Sequence, residues 1–472
     1  MKDVKREIKS FIVTMVRRAI RMSPFFVNLG YATKIEILSI IFNEKTGDND
    51  RLHDLATYKN IGSNYRKALR GVDTSNLGQY LAKKAQKTKD RRKKYGPSSG
   101  KILFATRSWH FIEPVFQSFV DKGIKCEKYD INEFDKQYFK EHKIKNKSKY
   151  HREKAFKNLA ITFRRKQDIN KENRRYTSGF FDKCYEESDV IIVDWLNHNT
   201  NWVLENASAD KKVIVRVHSY EVLSFFPATI NFGRIDGLIF ISPGIRDMFL
   251  EMWGWLLPDN MPTTVIDNIR CKKRVCPESS TSASIAGRGK TIGMMQYALP
   301  VKDFRFALEV FKHVYEKDSE FKLLLCGQAL TEIKSAENAL LLQEINALPE
   351  GVVEELGYVT DVDSFFRKVG YMLSTSEREG SHESIIEGMA YGCIPVVRNW
   401  PLLAPFDGAK RAFPMCDVVE TPAEAAEAIL SASLDYKKVS NKYQSESEGF
   451  YSTDIPQKYL EFIERVRCNE YT

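Results

Sequence analysis

Short apolar runs alternate with amphipathic stretches from residue 101 onward, which is typical of parallel sheets covered by helices on both faces. In the first series the runs predicted as buried strands are 102–105, 190–193, 213–217 and 238–241. In the second series they are 292–295, 321–326, 371–374 and 394–397. Helical spacing of apolar residues at 114–122, after 303, at 422–430 and at 456–467 predicts helices between and after them. The pattern therefore indicates two α/β domains.

Changes in this pattern divide the chain into five parts. Residues 1–97 are predicted as a helical, basic N-terminal extension and 98–276 as a first Rossmann-like domain. The Ser- and Gly-rich stretch 277–290 is interpreted as a linker. Residues 291–435 form a second Rossmann-like domain, and 436–472 a helical tail expected to pack back on the first domain.

The net charge of +10 is concentrated near the N-terminus. Residues 1–22 carry +5, 83–94 carry +7 and the polar insertion 136–175 carries +11, so the remainder is acidic. The amphipathic basic pattern of 1–22 fits an anionic membrane surface, or equally a face packed on this protein or a second subunit. The run 83–94 is interpreted as a solvated linker, and 136–175 as exposed helices.

The cysteines and the lengths of the apolar runs indicate the cellular compartment of the protein. The chain has 8 cysteines without a Cys-x-x-Cys pair, so zinc-finger and thioredoxin-like sites have no support. This usage favours a reduced, cytoplasmic protein. We predict no signal peptide and no spanning helix, because the longest apolar runs are too short. A peripheral position on the inner face of the cell membrane fits residues 1–22.

The most informative stretch is SEREGSHESIIEGMAYGCIPVV at 376–397, which reads as loop, helix and strand after a strand ending near Ser374. Ligands bind at this edge of open α/β sheets. Free backbone N–H groups and the positive dipole at a helix start near Glu383 suit a pyrophosphate. Gly380 removes a side chain where the backbone must approach a ligand. Ser381 and His382 complete the predicted donor-binding loop.

Two glutamates flank this helix start. Glu379 on the loop can reach one end of a nucleotide sugar, and Glu387 in the helix can reach the other. A carboxylate is a natural acceptor for two sugar hydroxyls. The pair, followed by Gly388 and Met-Ala-Tyr-Gly-Cys-Ile-Pro-Val-Val, resembles the signature of the retaining family 4 glycosyltransferases of the GT-B fold. Glu379 would then lie by the transferred sugar and Glu387 at the ribose.

The resemblance implies further roles in the order of parts along the chain. Lys302, after the first strand of the second domain, corresponds to a phosphate-binding lysine. His218, at the end of strand 213–217, corresponds to a histidine that approaches the donor sugar, and Glu221 is predicted to orient it. Gly327, which ends strand 321–326, is assigned to donor binding. No metal or other cofactor is expected, because no Asp-x-Asp motif ends a strand and Lys302 can offset diphosphate charge.

Two departures from the family pattern leave alternatives open. An arginine about five residues before Lys302 is replaced by Met-Gln-Tyr, so Arg107, Arg216 or another residue would have to complete a two-cation clamp. The family's glycine pair after the first strand is absent. Trp109 and His110 stand there instead and are assigned to acceptor or phosphate contacts, with core packing of Trp109 as an equal alternative.

The sequence thus predicts a GT-B glycosyltransferase with two Rossmann-like domains that face a cleft. Its partners would be a nucleoside diphosphate sugar and a carbohydrate or lipid-linked acceptor, as in cell-surface polysaccharide or glycolipid assembly. The first domain would bind the acceptor and the second the donor. Three alternatives stay open: an inactive sugar-binding homologue, a GT-B phosphorylase or epimerase, and a nucleic-acid-binding protein. The last is disfavoured because no nucleic-acid-binding module is recognised.

Overall fold

The computed structural model describes residues 76–90, 100–133, 136, 140, 187–207, 211–223, 226–270, 287–333, 336–452 and 454–468. The expectations for 1–22, for 91–97 and for nearly all of the insertion 136–175 therefore lie outside the described residues. Among the described helices, none is long and apolar enough to cross a membrane.

The first domain is built on a six-stranded, fully parallel sheet in the order β2-β1-β3-β4-β5-β6. Its strands are β1 (Ile102–Thr106), β2 (Cys126–Asp130), β3 (Val190–Asp194), β4 (Lys212–Val217), β5 (Gly237–Phe240) and β6 (Thr263–Val265). Its helices are α1 (Asn76–Asp90), α2 (Glu113–Asp121), α3 (His198–Asn206), α4 (Ser219–Val222), α5 (Phe226–Thr229) and α6 (Pro243–Trp253). The four central strands are buried along their whole length, as their apolar runs predicted.

The second domain contains a five-stranded parallel sheet in the order β11-β10-β7-β8-β9. Its strands are β7 (Thr291–Met295), β8 (Lys322–Cys326), β9 (Val353–Glu355), β10 (Tyr371–Ser374) and β11 (Ile394–Val397). Its helices are α7 (Phe304–Lys317), α8 (Ala336–Asn346), α9 (Val362–Lys368), α10 (Glu383–Ala390), α11 (Gly408–Ala412), α12 (Pro422–Ser433) and α13 (Tyr436–Glu446). The predicted fold class of two parallel-sheet domains is confirmed.

Three strands escaped sequence prediction because each lies at the edge of its sheet. Strand β2 reads Cys-Glu-Lys-Tyr-Asp and buries one residue of five. Strands β6 and β9 have three residues each, and none of these residues is buried. An edge strand covered on one side needs no continuous apolar run, so hydrophobic periodicity does not reveal it.

Part of the basic N-terminal extension belongs to the first domain. Residues 83–90, interpreted as solvated linker, lie instead in α1, which buries Leu81 and Ala85. A Cβ added at Gly233 would lie 2.0 Å from the Ala85 carbonyl oxygen, so helix and turn touch backbone to backbone. The interpretation of 83–90 as linker was wrong because Leu81 and Ala85, four residues apart, face the domain, while Lys83 and Lys87 lie on the exposed face.

The last helix, α14 (Ile455–Cys468), returns to the first domain. A Cβ added at Gly237 of β5 would lie 2.8 Å from the Phe462 ring, so this glycine leaves room for the helix. The Arg467 guanidinium bonds both carboxylate oxygens of Asp189, at 2.9 and 3.1 Å. The chain therefore crosses between the domains twice, once before β7 and once before α14.

The end of the predicted linker is packed into the second domain. Arg288 donates from Nε to the Val369 carbonyl at 2.7 Å and lies 3.5 Å from the Cys393 sulfur. A Cβ at Gly370 would lie 2.2 Å from the Arg288 carbonyl oxygen. Residues 287–290 are thus part of the second domain and lead directly into β7.

Side chains also join the two domains directly. Arg378 of the second domain donates to Ser219 Oγ of the first at 2.6 Å, and both residues are buried. Arg411 bonds Asp247 at 2.5 Å, and a Cβ at Gly244 would lie 3.0 Å from the Gly408 Cα. The carboxyl edges of the two sheets are therefore held against each other.

The contact between α1 and the first domain can be tested at Gly233. Gly233→Ala makes the added methyl group clash with the Ala85 carbonyl oxygen. We therefore expect a loss of about 1–3 kcal/mol in unfolding free energy. Urea denaturation measures it, and limited trypsin digestion at the α1 lysines should accelerate. Gly254→Ala is the matched control, because its added Cβ meets nothing closer than 3.9 Å. Equal stability of the two variants would contradict the packing of α1.

Candidate active site

A partly buried ion pair lies at the carboxyl edge of the second sheet. Lys302 ends a single 3-10 turn, Pro300–Lys302, that follows β7, and Glu379 lies on the loop after β10. The Lys302 Nζ is 2.5 Å from Glu379 Oε1, which also accepts from Ser376 Oγ at 2.6 Å. Thr375 Oγ1 donates to the Lys302 carbonyl at 2.7 Å and ties the two loops together. The resemblance placed both residues at the reacting centre, and the fold brings them into contact.

The environment of Glu379 keeps it ionised. Burial alone would raise the pKa of this carboxyl group. The electrostatic interactions with His382 and Lys302, together with the hydrogen bonds from Lys302 and Ser376, outweigh burial and hold the pKa at about 2. A fixed negative charge therefore faces this edge of the sheet at neutral pH.

His382 supports the pair from the start of α10, the helix predicted to bind the donor (the donor helix). It adopts left-handed backbone dihedrals (φ 43°) and precedes α10 directly. Its Nδ1 is 2.5 Å from Ser374 Oγ, and its Nε2 is 3.3 Å from Lys302 Nζ. An ammonium group only donates, so Nε2 accepts and Nδ1 carries the hydrogen toward Ser374. Burial, joined by the positive charge of Lys302, lowers the pKa of His382 to about 3, which keeps the ring neutral.

The first residue of α10 is tied to the segment that follows β6. Glu383 accepts from Arg270 Nε at 2.7 Å, from Asn268 Nδ2 at 2.5 Å and from Ser381 Oγ at 2.5 Å. Burial opposes the ionisation of Glu383, but Arg270 and these hydrogen bonds lower its pKa. Ser381 and Glu383, both assigned to donor binding, thus make protein contacts that hold the helix start against the first domain.

In the first domain His218 follows β4 and is buried. Its Nε2 is 2.7 Å from Asp194 Oδ1, at the end of β3, and the Trp195 ring stacks on it with centroids 3.8 Å apart. Arg216, fully buried, donates to Asp194 at 3.1 Å and also to Asn268 Oδ1. Because Asn268 bonds Ser381 and Glu383, a continuous polar chain joins His218 to the donor helix.

Glu221, which was predicted to orient His218, meets it through the backbone. Glu221 is fully buried, and its Oε1 accepts from the backbone N–H of Leu196 at 2.9 Å and of His218 at 3.4 Å. Burial raises its pKa to about 8. It fixes two loops through their backbones, whereas the imidazole contacts Asp194. The sequence suggested Glu221 because it is only three residues from His218, whereas Asp194 is 24 residues away.

Two glycines assigned to donor binding, Gly380 and Gly327, are closely approached by other protein atoms. A Cβ at Gly380 would lie 2.3 Å from the Cδ1 of Ile241, which comes from the first domain. Gly327 has φ 116°, and its Cβ would lie 3.0 Å from the Gln296 backbone. Gly380 therefore lets the second domain approach Ile241 of the first domain. Gly327 lets the chain after β8 pass close to the backbone that follows β7.

The loop after β1 divides into a packed part and an exposed part. Trp109 contacts Phe116, with Lys128 Nζ 4.2 Å above its ring, so the core-packing alternative describes it. His110 is exposed. Instead Phe111, which the sequence did not single out, approaches His218 with ring centroids 5.4 Å apart.

The two candidates for the second phosphate cation differ in their surroundings. Arg216 is buried among Asp194, His218 and Asn268, and Arg107 donates to Asn199 at 3.1 Å. Lys302 lies beside the start of α10, where Arg270 is paired with Glu383. Glu387 lies in α10, partly buried, one turn beyond Glu383.

Sequence reasoning missed Asp194, Asn268, Arg270, Ser376 and Arg378. Asp194 lies at the carboxyl end of a predicted strand, and His218 follows the carboxyl end of the neighbouring strand. This shared position was the signal in the sequence that could have indicated their contact. Asn268 and Arg270 follow a short strand that had not been predicted. Their roles depend on contacts between segments far apart in the chain, and composition does not show these.

With this geometry in view, comparison with known proteins is informative. Residues 290–434 match the family of glycosyl transferases group 1. The matched segment runs from just before β7 to the end of α12. It contains Lys302, Glu379, His382 and Glu387. No curated protein matches the chain.

Solved structures share the architecture. A glycosyltransferase from Rickettsia africae ESF-5 is 13% identical over 80% of this chain and 100% of its own, with a TM-score of 0.51. Anabaena Alr3699/HepE, solved with UDP-glucose, is 15% identical over 77% of this chain and 99% of its own, with a TM-score of 0.50. These likenesses confirm the GT-B fold. A mutant of S. aureus TarM, solved with UDP, is 18% identical over 60% of this chain, at a TM-score of 0.47; the chain spans 57% of its length.

The ion pair predicts a pH-dependent cost for losing Lys302. Lys302→Met leaves the Glu379 carboxylate without its cation, and we expect a loss of roughly 3 kcal/mol in unfolding free energy near pH 7. Because the folded pKa of Glu379 is depressed, the pair stabilises above the ordinary glutamate pKa of 4.5 and loses its effect as pH falls toward 2. Urea unfolding at pH 7, 5 and 3 should show the difference from wild type shrinking.

Lys312→Met is the matched control, because Lys312 pairs with Glu344 on the surface of the same domain. An exposed pair contributes about 0–1 kcal/mol. A Lys302→Met difference that stays constant from pH 7 to pH 3 would contradict the ionised state of Glu379.

Proposed function

We propose that the protein is a retaining glycosyltransferase that moves a sugar from a nucleoside diphosphate to an acceptor hydroxyl. The observation that carries this proposal is the Lys302–Glu379 pair, 2.5 Å apart, beside the start of α10 in a group 1 domain. An ammonium group at this edge offsets the charge that develops on a departing diphosphate. An ionised carboxylate next to it can hold a sugar hydroxyl or stabilise positive charge on the ring.

The donor would lie along α10. Backbone N–H groups and the helix dipole at its N-terminus favour a diphosphate. Glu387, one turn further along, is proposed to accept from the two ribose hydroxyls. Alr3699/HepE, which shares this fold, was solved with UDP-glucose, so UDP is the first nucleotide to test.

We propose that the diphosphate is held without a metal ion. Lys302 and the helix amides supply positive charge, and the carboxylates of this region are engaged otherwise: Glu379 with Lys302, and Glu383 with Arg270. Carboxylates already paired with cations are poor ligands for a hard divalent ion. His218 would contact the donor sugar from the opposite sheet.

Nucleotide binding is the first test of this proposal. We expect one of UDP, GDP, ADP and CDP to raise the melting temperature, because a ligand that binds only the folded state stabilises it by mass action. Glu387→Ala should abolish most of this shift, since the ribose loses its acceptor. Glu427→Ala, an exposed glutamate of α12, is the matched control and should keep it.

A shift that survives in Glu387→Ala would remove the ribose role while keeping the donor site. No shift with any of the four nucleotides would reject the donor-site proposal. Steeply salt-dependent RNA or DNA binding would then favour the nucleic-acid alternative.

Sugar transfer is the second test. With the nucleotide identified, we expect its sugar to reach a carbohydrate hydroxyl with the anomeric configuration retained, read by proton NMR of the first product. Lys302→Met should lower kcat about 10²–10³-fold, because one group that stabilises the transition state is lost. Activity should persist in EDTA. The basic residues 1–22 support an acceptor at an anionic surface, so glycolipids in anionic vesicles are offered beside free oligosaccharides.

Each part of the proposal can fail separately. An inverted product would reject retention, and loss of transfer in EDTA would reject the metal-free site. Nucleotide binding without turnover would favour an inactive homologue, and sugar release onto inorganic phosphate would favour a phosphorylase. Lys312→Met, the surface control, should leave kcat unchanged.

A further inference from the structure

The Asp194 carboxylate is built into the carboxyl edge of the first sheet. It is fully buried at the end of β3. Asn199 Nδ2 donates to its carbonyl oxygen at 2.9 Å, and Thr106 Oγ1 lies 3.3 Å from the same atom. The backbone of Asp194 is therefore anchored to both β1 and α3. This anchoring fixes the position of the carboxylate.

This carboxylate determines which nitrogen of His218 carries the hydrogen. His218 Nε2 is 2.7 Å from Asp194 Oδ1. The Arg216 guanidinium also lies 3.3 Å from Nε2, but the contact with Asp194 is much the shorter of the two. Two lone pairs at 2.7 Å would repel, so Nε2 donates to Asp194. Arg216, whose terminal nitrogen is 3.1 Å from the same oxygen, keeps Asp194 ionised and unable to donate. Burial lowers the pKa of His218 and outweighs the attraction of Asp194, so the ring is neutral. Nδ1 is then left as the acceptor.

Aromatic packing fixes the plane of the same ring. Trp195 stacks on the imidazole at 3.8 Å with an interplanar angle of 14°. Trp195 has φ 76°, a left-handed conformation that is costly for a bulky residue and that brings its indole over His218. Phe111 approaches from another side, with ring centroids 5.4 Å apart. Rotation of the imidazole would break both the stack and the bond to Asp194.

We propose that Asp194 is the positioning residue for His218, holding a neutral imidazole with hydrogen on Nε2 and an acceptor lone pair on Nδ1. This inference rests on the proposed function, in which His218 meets the donor sugar. A histidine so held accepts a hydrogen bond from a sugar hydroxyl rather than donating one. Sugars that lack the hydroxyl facing Nδ1 should be poor donors.

The wild-type protein gives the most direct test. Imidazole nitrogen NMR separates the two neutral tautomers and the imidazolium, and the His218 signal is assigned by its loss in His218→Gln. We expect the Nε2–H tautomer at pH 7. A wild-type ring with hydrogen on Nδ1, or charged at pH 7, would overturn the proposal whether or not any Asp194 variant folds.

Variants test whether Asp194 acts through His218. Asp194→Asn removes the charge at constant size, and we expect Nε2–H to be lost in part or fully and kcat to fall about 10–100-fold. In a His218→Ala background the same substitution should cost no further activity, since the group it positions is gone. Asp236→Asn is the matched control: Asp236 is an equally buried carboxylate near the opposite edge of the sheet, and it bonds the Val213 N–H at 2.8 Å. It should leave the tautomer and kcat unchanged.

The outcomes separate this inference from the proposed function. Full additivity of Asp194→Asn and His218→Ala, or an unchanged tautomer in Asp194→Asn, overturns the positioning role while sugar transfer by the wild type stands. Absence of nucleotide binding and transfer in the wild type rejects the proposed function, and the NMR result still decides whether Asp194 sets the tautomer.

Discussion

The fully buried guanidinium of Arg216 is the interaction on which the arrangement of both domains depends. A charge without access to water is tolerated only when it is paired and hydrogen-bonded. Arg216 meets this need with Asp194 from β3 and Asn268 from the segment after β6. Asn268 in turn bonds Ser381 and Glu383 at the start of α10. One buried charge thus holds the carboxyl edge of the first sheet to the donor helix of the second.

A cluster of charged groups and a neutral histidine meet at this junction. On the second sheet, Lys302 and the helix start present positive charge, with Glu379 kept ionised between them. On the first sheet, His218 is neutral and confined by Asp194 and Trp195. A charged diphosphate suits the former and a neutral sugar ring the latter. The direct contact of Arg378 with Ser219, next in the chain to His218, brings the two loops together.

Much of the fold could be read from hydrophobic pattern, because buried central strands need continuous apolar runs whatever their neighbours. All eight predicted strands are present. The short edge strands β2, β6 and β9 were not predictable in this way, since they bury little. Helix α1 was misjudged for a related reason: its lysines dominate composition, while the contact of Ala85 with Gly233 depends on the other chain segment.

The sequence by itself determined the sheet class and the helix start at Glu383, because each rests on local periodicity or on a contiguous motif. Only the tertiary structure decided that Asp194 rather than Glu221 contacts the His218 ring, that Gly380 faces Ile241, and that Arg216 and Arg270 are held by internal partners. Hydrogen bonds and close packing act between atoms within about 3 to 4 Å. Residues far apart in the chain reach those distances only after both sheets have formed.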